Sequence, residues 1–363
     1  MNDRPIAVLG GGNGGHCMAA DLTLMGARVA FYEHPKFADR FGPTLAAGGV
    51  ELRGIGRRGF SKCHLVTTDL EAALRGVEQI HIVIPATGHD LFFDELIPLL
   101  KGGETVVVWA ADFGSLRLRH LLEARRPGLK IRICEANTLP YGARLCGPAQ
   151  VDLLLLAPRV LIAALPARET AEALPPLREL WSCLEPCPNV LMAALNNPNP
   201  IIHPPGSLLN TGRIQYSRGD FWMYREGITE AVARVIRAAF DEARAVARAL
   251  DGDLLTYEDR DFRTTASIMG VAFQAPFDTL GVIASIKGPH TIHDRYITED
   301  LPYGLVPTVE LGRLLGMRLP VIESLVNLGS VVCGADYWHT GRTLESLGLA
   351  RRSKADILAL VNG

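Results

Sequence analysis

The sequence predicts an α/β N-terminal domain built on a doubly wound, mainly parallel sheet, joined to a mainly α-helical C-terminal domain. Short aliphatic and β-branched strands alternate with helical segments through the first half. A glycine cluster follows the first strand directly. Beyond Asn189 strand signals become sparse and apolar residues recur at three- and four-residue steps. Alternation of this kind builds a parallel sheet with both faces covered, and the later spacing builds amphipathic helices.

Residues 5–10 (PIAVLG) read as the first strand, and His16–Met25 as an apolar helix ending at Gly26. Arg28–Glu33 is the next strand. After a variable loop come a strand at 77–86, a helix near 89–100, a strand at 104–112, a helix near 115–125 and a strand at 129–136. Val151–Ala167 reads as a hairpin and Glu169–Leu184 as a helix. The simplest partition sets a dinucleotide-binding domain at 1–188 and a helical catalytic domain at 189–363. In the latter, Ile228, Val232, Val235, Ala239, Phe240, Ala243, Ala247 and Leu250 mark one amphipathic helix across Asp220–Asp251, closed by Gly252. Further helices are expected at 265–273, 307–316, 319–333 and 353–361.

Composition narrows the functions. A chain of 363 residues with net charge −2 carries no electrostatic footprint for nucleic acid or anionic lipid. Its most apolar run, Val151–Ala167, is interrupted by Asp152, Pro158 and Arg159, so no membrane span is expected. The seven cysteines lack metal-ligand spacing, and His290-x-x-His293-Asp294 lacks that of a catalytic metal. No metal site is expected, and the thiols suit a reducing compartment. The opening MNDRPIAVLGGGNGG runs straight into a strand and a glycine loop, so a cytoplasmic protein is expected.

Gly10-Gly11-Gly12-Asn13-Gly14-Gly15 holds GxGxxG at positions 10, 12 and 15. Between a strand and a helix, this pattern is the Rossmann fingerprint. Gly10 permits the turn, Gly12 admits a pyrophosphate, and Gly15 lets helix and strand pack closely. Asn13 and Gly14 open a helix whose N–H groups face the anion. Glu33, ending the second strand, is placed to accept from ribose hydroxyls, which favours NAD over NADP. The cationic His34, Lys36 and Arg40 nearby keep NADP open. Pro85 and Ala86 end the strand at which a nicotinamide half lies, and are expected cofactor contacts.

Three later features need a joint reading: His203 in NPIIHPPGSLLN, Arg295 and Asp300 in RYITEDLPYG, and Asn199 four residues before His203. Singly, the histidine reads as a turn residue and Arg295 with Asp300 as a helix-end salt bridge. Together they supply what carbonyl or imine reduction needs. A histidine donates the proton, a carboxylate fixes its tautomer, and an arginine grips a substrate carboxylate.

The chain resembles the opine dehydrogenases, the octopine/nopaline type that includes N-(1-carboxyethyl)amino-acid dehydrogenases. The resemblance is carried by VLGGGNGGH at 8–16, NPIIHP at 199–204, YREGITEAV at 224–232, RYITEDLPYGLVPTVELGRLLG at 295–316 and GRTLESLGL at 341–349. It implies a Rossmann domain, a helical domain, a site in the cleft between them, and reductive condensation of an amino acid's amine with a 2-oxo acid, usually pyruvate. By motif position, the catalytic histidine falls on His203 and its partner aspartate on Asp300. The substrate arginine falls on Arg295 and the asparagine before the histidine on Asn199. The cofactor is NAD, with NADP possible, since Glu33 stands where some members carry aspartate. The prolines and isoleucines are expected to hold His203 at the start of a helix. Two rivals fit the residues less completely: a single-substrate 2-oxo or 3-hydroxy acid dehydrogenase, and a non-catalytic NAD(H) sensor. Monomer and homodimer both fit.

Overall fold

A computed structural model describes residues 5–110, 112–255 and 287–363. The chain divides into two compact units, Met1–Pro186 and Cys187–Gly363. The first holds β1 (Ile6–Leu9), α1 (Asn13–Leu24), β2 (Val29–Tyr32), α2 (Ala38–Ala47), β3 (Gly49–Gly54), β4 (Gly59–Lys62), β5 (Leu65–Thr67) and α3 (Leu70–Ala73). It continues through β6 (Gln79–Ile82), α4 (His89–Leu99), β7 (Thr105–Trp109), α5 (Gly114–Arg125), β8 (Arg132–Ala136) and β9 (Tyr141–Gly147). It ends with β10 (Gln150–Leu156), β11 (Val160–Leu165), α6 (Thr170–Leu180) and β12 (Leu184–Pro186).

The main sheet has the order β12-β11-β8-β7-β6-β1-β2-β5. From β5 to β8 every pairing is parallel, and the order reverses direction at β1, as in a doubly wound dinucleotide fold. The central strands are buried on both faces, which explains their unbroken apolar sequences. Phe92, Phe93, Leu96 and Ile97 of α4 pack with Leu118, Leu121 and Leu122 of α5 over one face.

Two expectations are corrected here. Val151–Ala167 is not a hairpin. Strand β11 pairs antiparallel with β8 in the main sheet, whereas β10 pairs with β9 and β3 in a separate sheet of order β4-β3-β10-β9. Two adjacent apolar strands satisfy the same pattern whether they pair with each other or with different partners. The stretch taken as a variable loop also supplies β3 and β4 to that second sheet.

The second unit is helical, with α7 (Val190–Leu195), α8 (Asn199–Leu208), α9 (Thr211–Ser217) and α10 (Glu230–Ala249). Helices Val306–Leu314, Pro320–Cys333 and Lys354–Asn362 follow, close to the expected spans. The long amphipathic helix starts at Glu230 rather than Asp220, because Thr229 caps it and accepts from Val232 N at 3.4 Å. The residues before it make a π-helical turn, Met223–Gly227. His203 sits in the middle of α8, not at its start, because the helix already begins at Asn199 with Pro200 in its first turn. The helix expected at 265–273 lies outside the described residues. Among the described residues no helix is long and apolar enough to cross a membrane.

Close packing of β1 against α1 sets a strict steric limit. A Cβ at Gly15 would lie 1.7 Å from the Gly10 carbonyl oxygen. Gly15→Ala is expected to cost about 3 kcal/mol through forced backbone separation. Denaturant unfolding checks this, and an unchanged midpoint would show that helix and strand separate freely.

Candidate active site

The glycine loop is held from several sides. Gly10 has φ +113, and a Cβ there would meet Val83 O at 2.6 Å, so the loop lies directly against the segment leaving β6. That segment leads to Pro85 and the buried Ala86, which open a short 3₁₀ turn. Gly12 caps α1 without any side-chain hydrogen bond, and nothing lies within 4 Å of a Cβ built on it. Gly12 and Asn13 are exposed, which leaves room at the helix start for an anion. Gly14 packs against Leu139 and Val83, and Asn13 Oδ1 accepts from Leu145 N at 2.8 Å, tying the helix start to β9.

Glu33 is buried at the end of β2. One carboxylate oxygen accepts from Gly11 N and the other from His34 N, each at 2.7 Å. Burial pushes its carboxyl above the usual range, and these two hydrogen bonds oppose the rise. The His34 ring is committed elsewhere. Its Nδ1 accepts from Lys36 N, so Nε2 carries the proton and donates to Glu95 at 2.9 Å. Sequence reasoning missed His16, which locks the loop from beneath. Its Nδ1 lies 3.1 Å from Gly12 O, an acceptor only, so Nδ1–H donates there and Nε2 accepts from Thr44 Oγ1 at 2.8 Å. Burial pushes this imidazole below its ordinary value, which suits a neutral strut.

In the second unit, His203 and Asp300 come together across 97 positions of sequence. Nδ1 of the ring lies 2.8 Å from Asp300 Oδ2, with side chains 3% and 1% exposed. Burial raises the Asp300 carboxyl well above the usual range; Glu299 adds to the rise and Arg295 opposes it. Its other oxygen, Oδ1, has no hydrogen-bond partner among the described residues. The carboxyl's proton affinity is thus raised, and a hydrogen bond ties it to the imidazole Nδ1.

The remaining sides of the ring are also occupied. Nε2 lies 2.9 Å from the Tyr224 hydroxyl, and Tyr296 stacks on the ring face at 3.8 Å and 3°. Both hydrogen-bonding partners come from π-helical turns, Met223–Gly227 and Asp300–Leu305. Such turns re-aim side chains that a regular helix would point elsewhere. Arg295 pairs with buried Glu299 at 3.2 Å, yet 45% of its side chain is exposed. The helix-end pair expected between Arg295 and Asp300 is replaced by two pairs, Arg295 with Glu299 and His203 with Asp300. Asn199 is one helical turn before His203 in α8. Trp222 stacks with the Lys287 ammonium, and Tyr216 is 89% exposed. Among the described residues no cluster could hold a metal ion.

A family profile described as "NAD/NADP octopine/nopaline dehydrogenase, alpha-helical domain" matches residues 186–333. An opine dehydrogenase of Arthrobacter sp. (strain 1C) is 30% identical over 99% of both chains. The chain belongs to the opine dehydrogenase family of NAD(P)-dependent oxidoreductases. Solved structures of an octopine dehydrogenase, with NADH and L-arginine or with NADH and pyruvate, share its fold. They cover 98% of both chains at a TM-score of 0.71, with 19% and 18% identity. A yersinopine dehydrogenase bound to NADP+ gives the same score at 17% identity, over 99% of this chain and 98% of its own.

If Asp300 sets the tautomer of His203, Asp300→Asn leaves the fold intact but exchanges which ring nitrogen carries the proton. Imidazole 15N spectra of the variant should show that exchange. Unaltered nitrogen shifts would mean that Asp300 does not govern the tautomer.

Proposed function

We propose that this enzyme condenses the amine of an amino acid with the keto carbon of a 2-oxo acid, pyruvate by preference, and reduces the product to a secondary-amine dicarboxylate. The observation carrying the reading is the buried His203–Asp300 pair beside a partly exposed arginine. The L-arginine and pyruvate in the octopine dehydrogenase structures agree with these substrate classes. The cofactor is NAD, with Gly10, Gly12, Asn13, Gly14, Gly15, Glu33, Pro85 and Ala86 forming its site. The buried Glu33 carboxylate disfavours a 2′-phosphate, and the His34 ring is already engaged by Glu95 and Lys36 N.

Arg295 takes the oxo-acid carboxylate with the guanidinium donors left by Glu299, and the Asn199 amide adds a contact to the same substrate. The amino acid's neutral amine attacks the keto carbon. Protonated His203 then serves as general acid: a proton reaches the carbinolamine oxygen, the C–O bond breaks as water leaves, and the nitrogen lone pair forms the C=N bond of an iminium, which carries the transferred positive charge. Held by Gly10, Gly12 and Gly15 of the glycine loop, a dihydronicotinamide would supply the hydride that reduces this carbon. Asp300 holds the ring on Nδ1 before and after the proton leaves, so the ring neither rotates nor exchanges tautomers.

A panel of amino acids against pyruvate, oxaloacetate and 2-oxoglutarate, read by NADH oxidation, tests the reading. Oxidation should need both substrates; oxidation without any amine would make the protein a single-substrate dehydrogenase. His203→Ala should lower kcat by about a hundredfold or more with NADH affinity kept. Normal turnover by that variant removes the histidine from the chemistry. Arg295→Ala should raise KM for the oxo acid by roughly 10- to 100-fold, the worth of a charge-assisted pair. An unmoved KM would remove that contact.

A further inference from the structure

The nitrogen that must deliver the proton is already taken. Nε2 of His203 lies 2.9 Å from the Tyr224 hydroxyl, Nδ1 is held by Asp300, and Tyr296 covers a ring face. The imidazole is almost wholly buried, and Tyr224 is buried with it. A substrate therefore meets His203 through the tyrosine or after displacing it. Displacement would break a buried hydrogen bond and withdraw an aromatic ring from its packing, both unfavourable. A phenol hydroxyl can pass a proton without giving up its bond to His203, because it accepts one hydrogen bond while donating another. The backbone agrees. Tyr224 stands in a π-helical turn that follows buried Phe221 and packs against Gly206 of α8 through Met223, so the hydroxyl is carried on a fixed support.

Resting on the opine dehydrogenase reading, we infer that Tyr224 is the group that touches substrate, relaying the proton from His203 to the carbinolamine. The Nε2–H proton of the imidazolium passes to the phenol oxygen while the phenol's own proton passes to the carbinolamine oxygen. The C–O bond breaks with its electron pair and water leaves. The amine nitrogen's lone pair forms the C=N bond. The imidazole ends neutral, still donating through Nδ1 to Asp300, and the phenol ends unchanged. Tyr224 is then a catalytic residue, and His203 with Asp300 forms the proton reservoir behind it.

The test compares the full-length wild type with Tyr224→Phe. The relay predicts that kcat falls by about a hundredfold, with KM for both substrates, NADH affinity and unfolding midpoint unchanged. It also predicts a solvent deuterium effect whose proton inventory curves in the wild type, two protons moving together, and becomes linear in the variant. In the unliganded protein, the His203 Nε2 15N resonance should shift in Tyr224→Phe while Nδ1 stays put. A kcat equal to or above that of the wild type would overturn the relay and make Tyr224 a cover that swings aside. Should Tyr224→Phe fold poorly, fluorotyrosine in place of Tyr224 keeps ring and hydroxyl while making the phenol more acidic. The relay then requires an altered kcat at constant KM, and an identical kcat rejects it. Inactivity of the wild type with every amine and oxo-acid pair would instead sink the parent reading, and the relay with it.

Discussion

A carboxyl group taken wholly out of water, with one oxygen left without a partner among the described residues, is the constraint from which the arrangement around His203 follows. Among the described residues Asp300 has no second donor, so the proton on His203 Nδ1 is what makes its burial tolerable. That requirement fixes the ring's tautomer and orientation together. It also explains the company the ring keeps. A stacked tyrosine face favours the charged form of the imidazole, and a rigid helix keeps the nitrogen on its target. Pro204 and Pro205 remove two backbone donors from the interior of α8, yet the helix runs on to Leu208 because neighbours pack around its entire buried length.

The first unit solves a different problem with similar economy. An anion site made of bare N–H groups works only if the loop cannot collapse onto itself. Gly10 and Gly15 bring strand and helix into contact where any Cβ would collide, and His16 pins the loop carbonyl to α2 through Thr44. Glu33 occupies the far side of the loop by accepting from Gly11. The Glu33 carboxylate and the glycine loop thus hold each other in place.

Much of this was legible in the sequence, for reasons that also explain what was not. The parallel sheet declared itself through strands that are apolar on both faces and a glycine loop after the first of them. The second sheet did not, because GVELRG and GFSK are short, glycine-bounded and partly exposed. Periodicity gives a strand but not its partner, so β10 and β11 read as one hairpin. Turns Met223–Gly227 and Asp300–Leu305 have no periodic signature at all. Their side chains land where a regular helix would not send them, and so the hydrogen bond from Tyr224 to His203 was not legible in the sequence. His203, Asp300 and Arg295 were nameable because their chemistry is complementary and their motifs match a family. That Asp300 would prefer the histidine 97 positions away to the arginine five positions before it depends on packing alone.

Charge balance around Asp300 links substrate to proton. Glu299 and Asp300 are buried neighbours; Arg295 pairs with the first and the His203 ring with the second. Burial and Glu299 both raise the proton affinity of Asp300, and Arg295 is the influence that lowers it. A carboxylate docked on Arg295 would offset much of that lowering. The proton between His203 and Asp300 would then be held more tightly. A guanidinium that oriented an oxo acid would thus also tune the proton affinity of the carboxyl beside His203, without any change in backbone structure. Lysine in its place could not do both, because an ammonium lacks the planar fork that holds Glu299 and a substrate carboxylate at once.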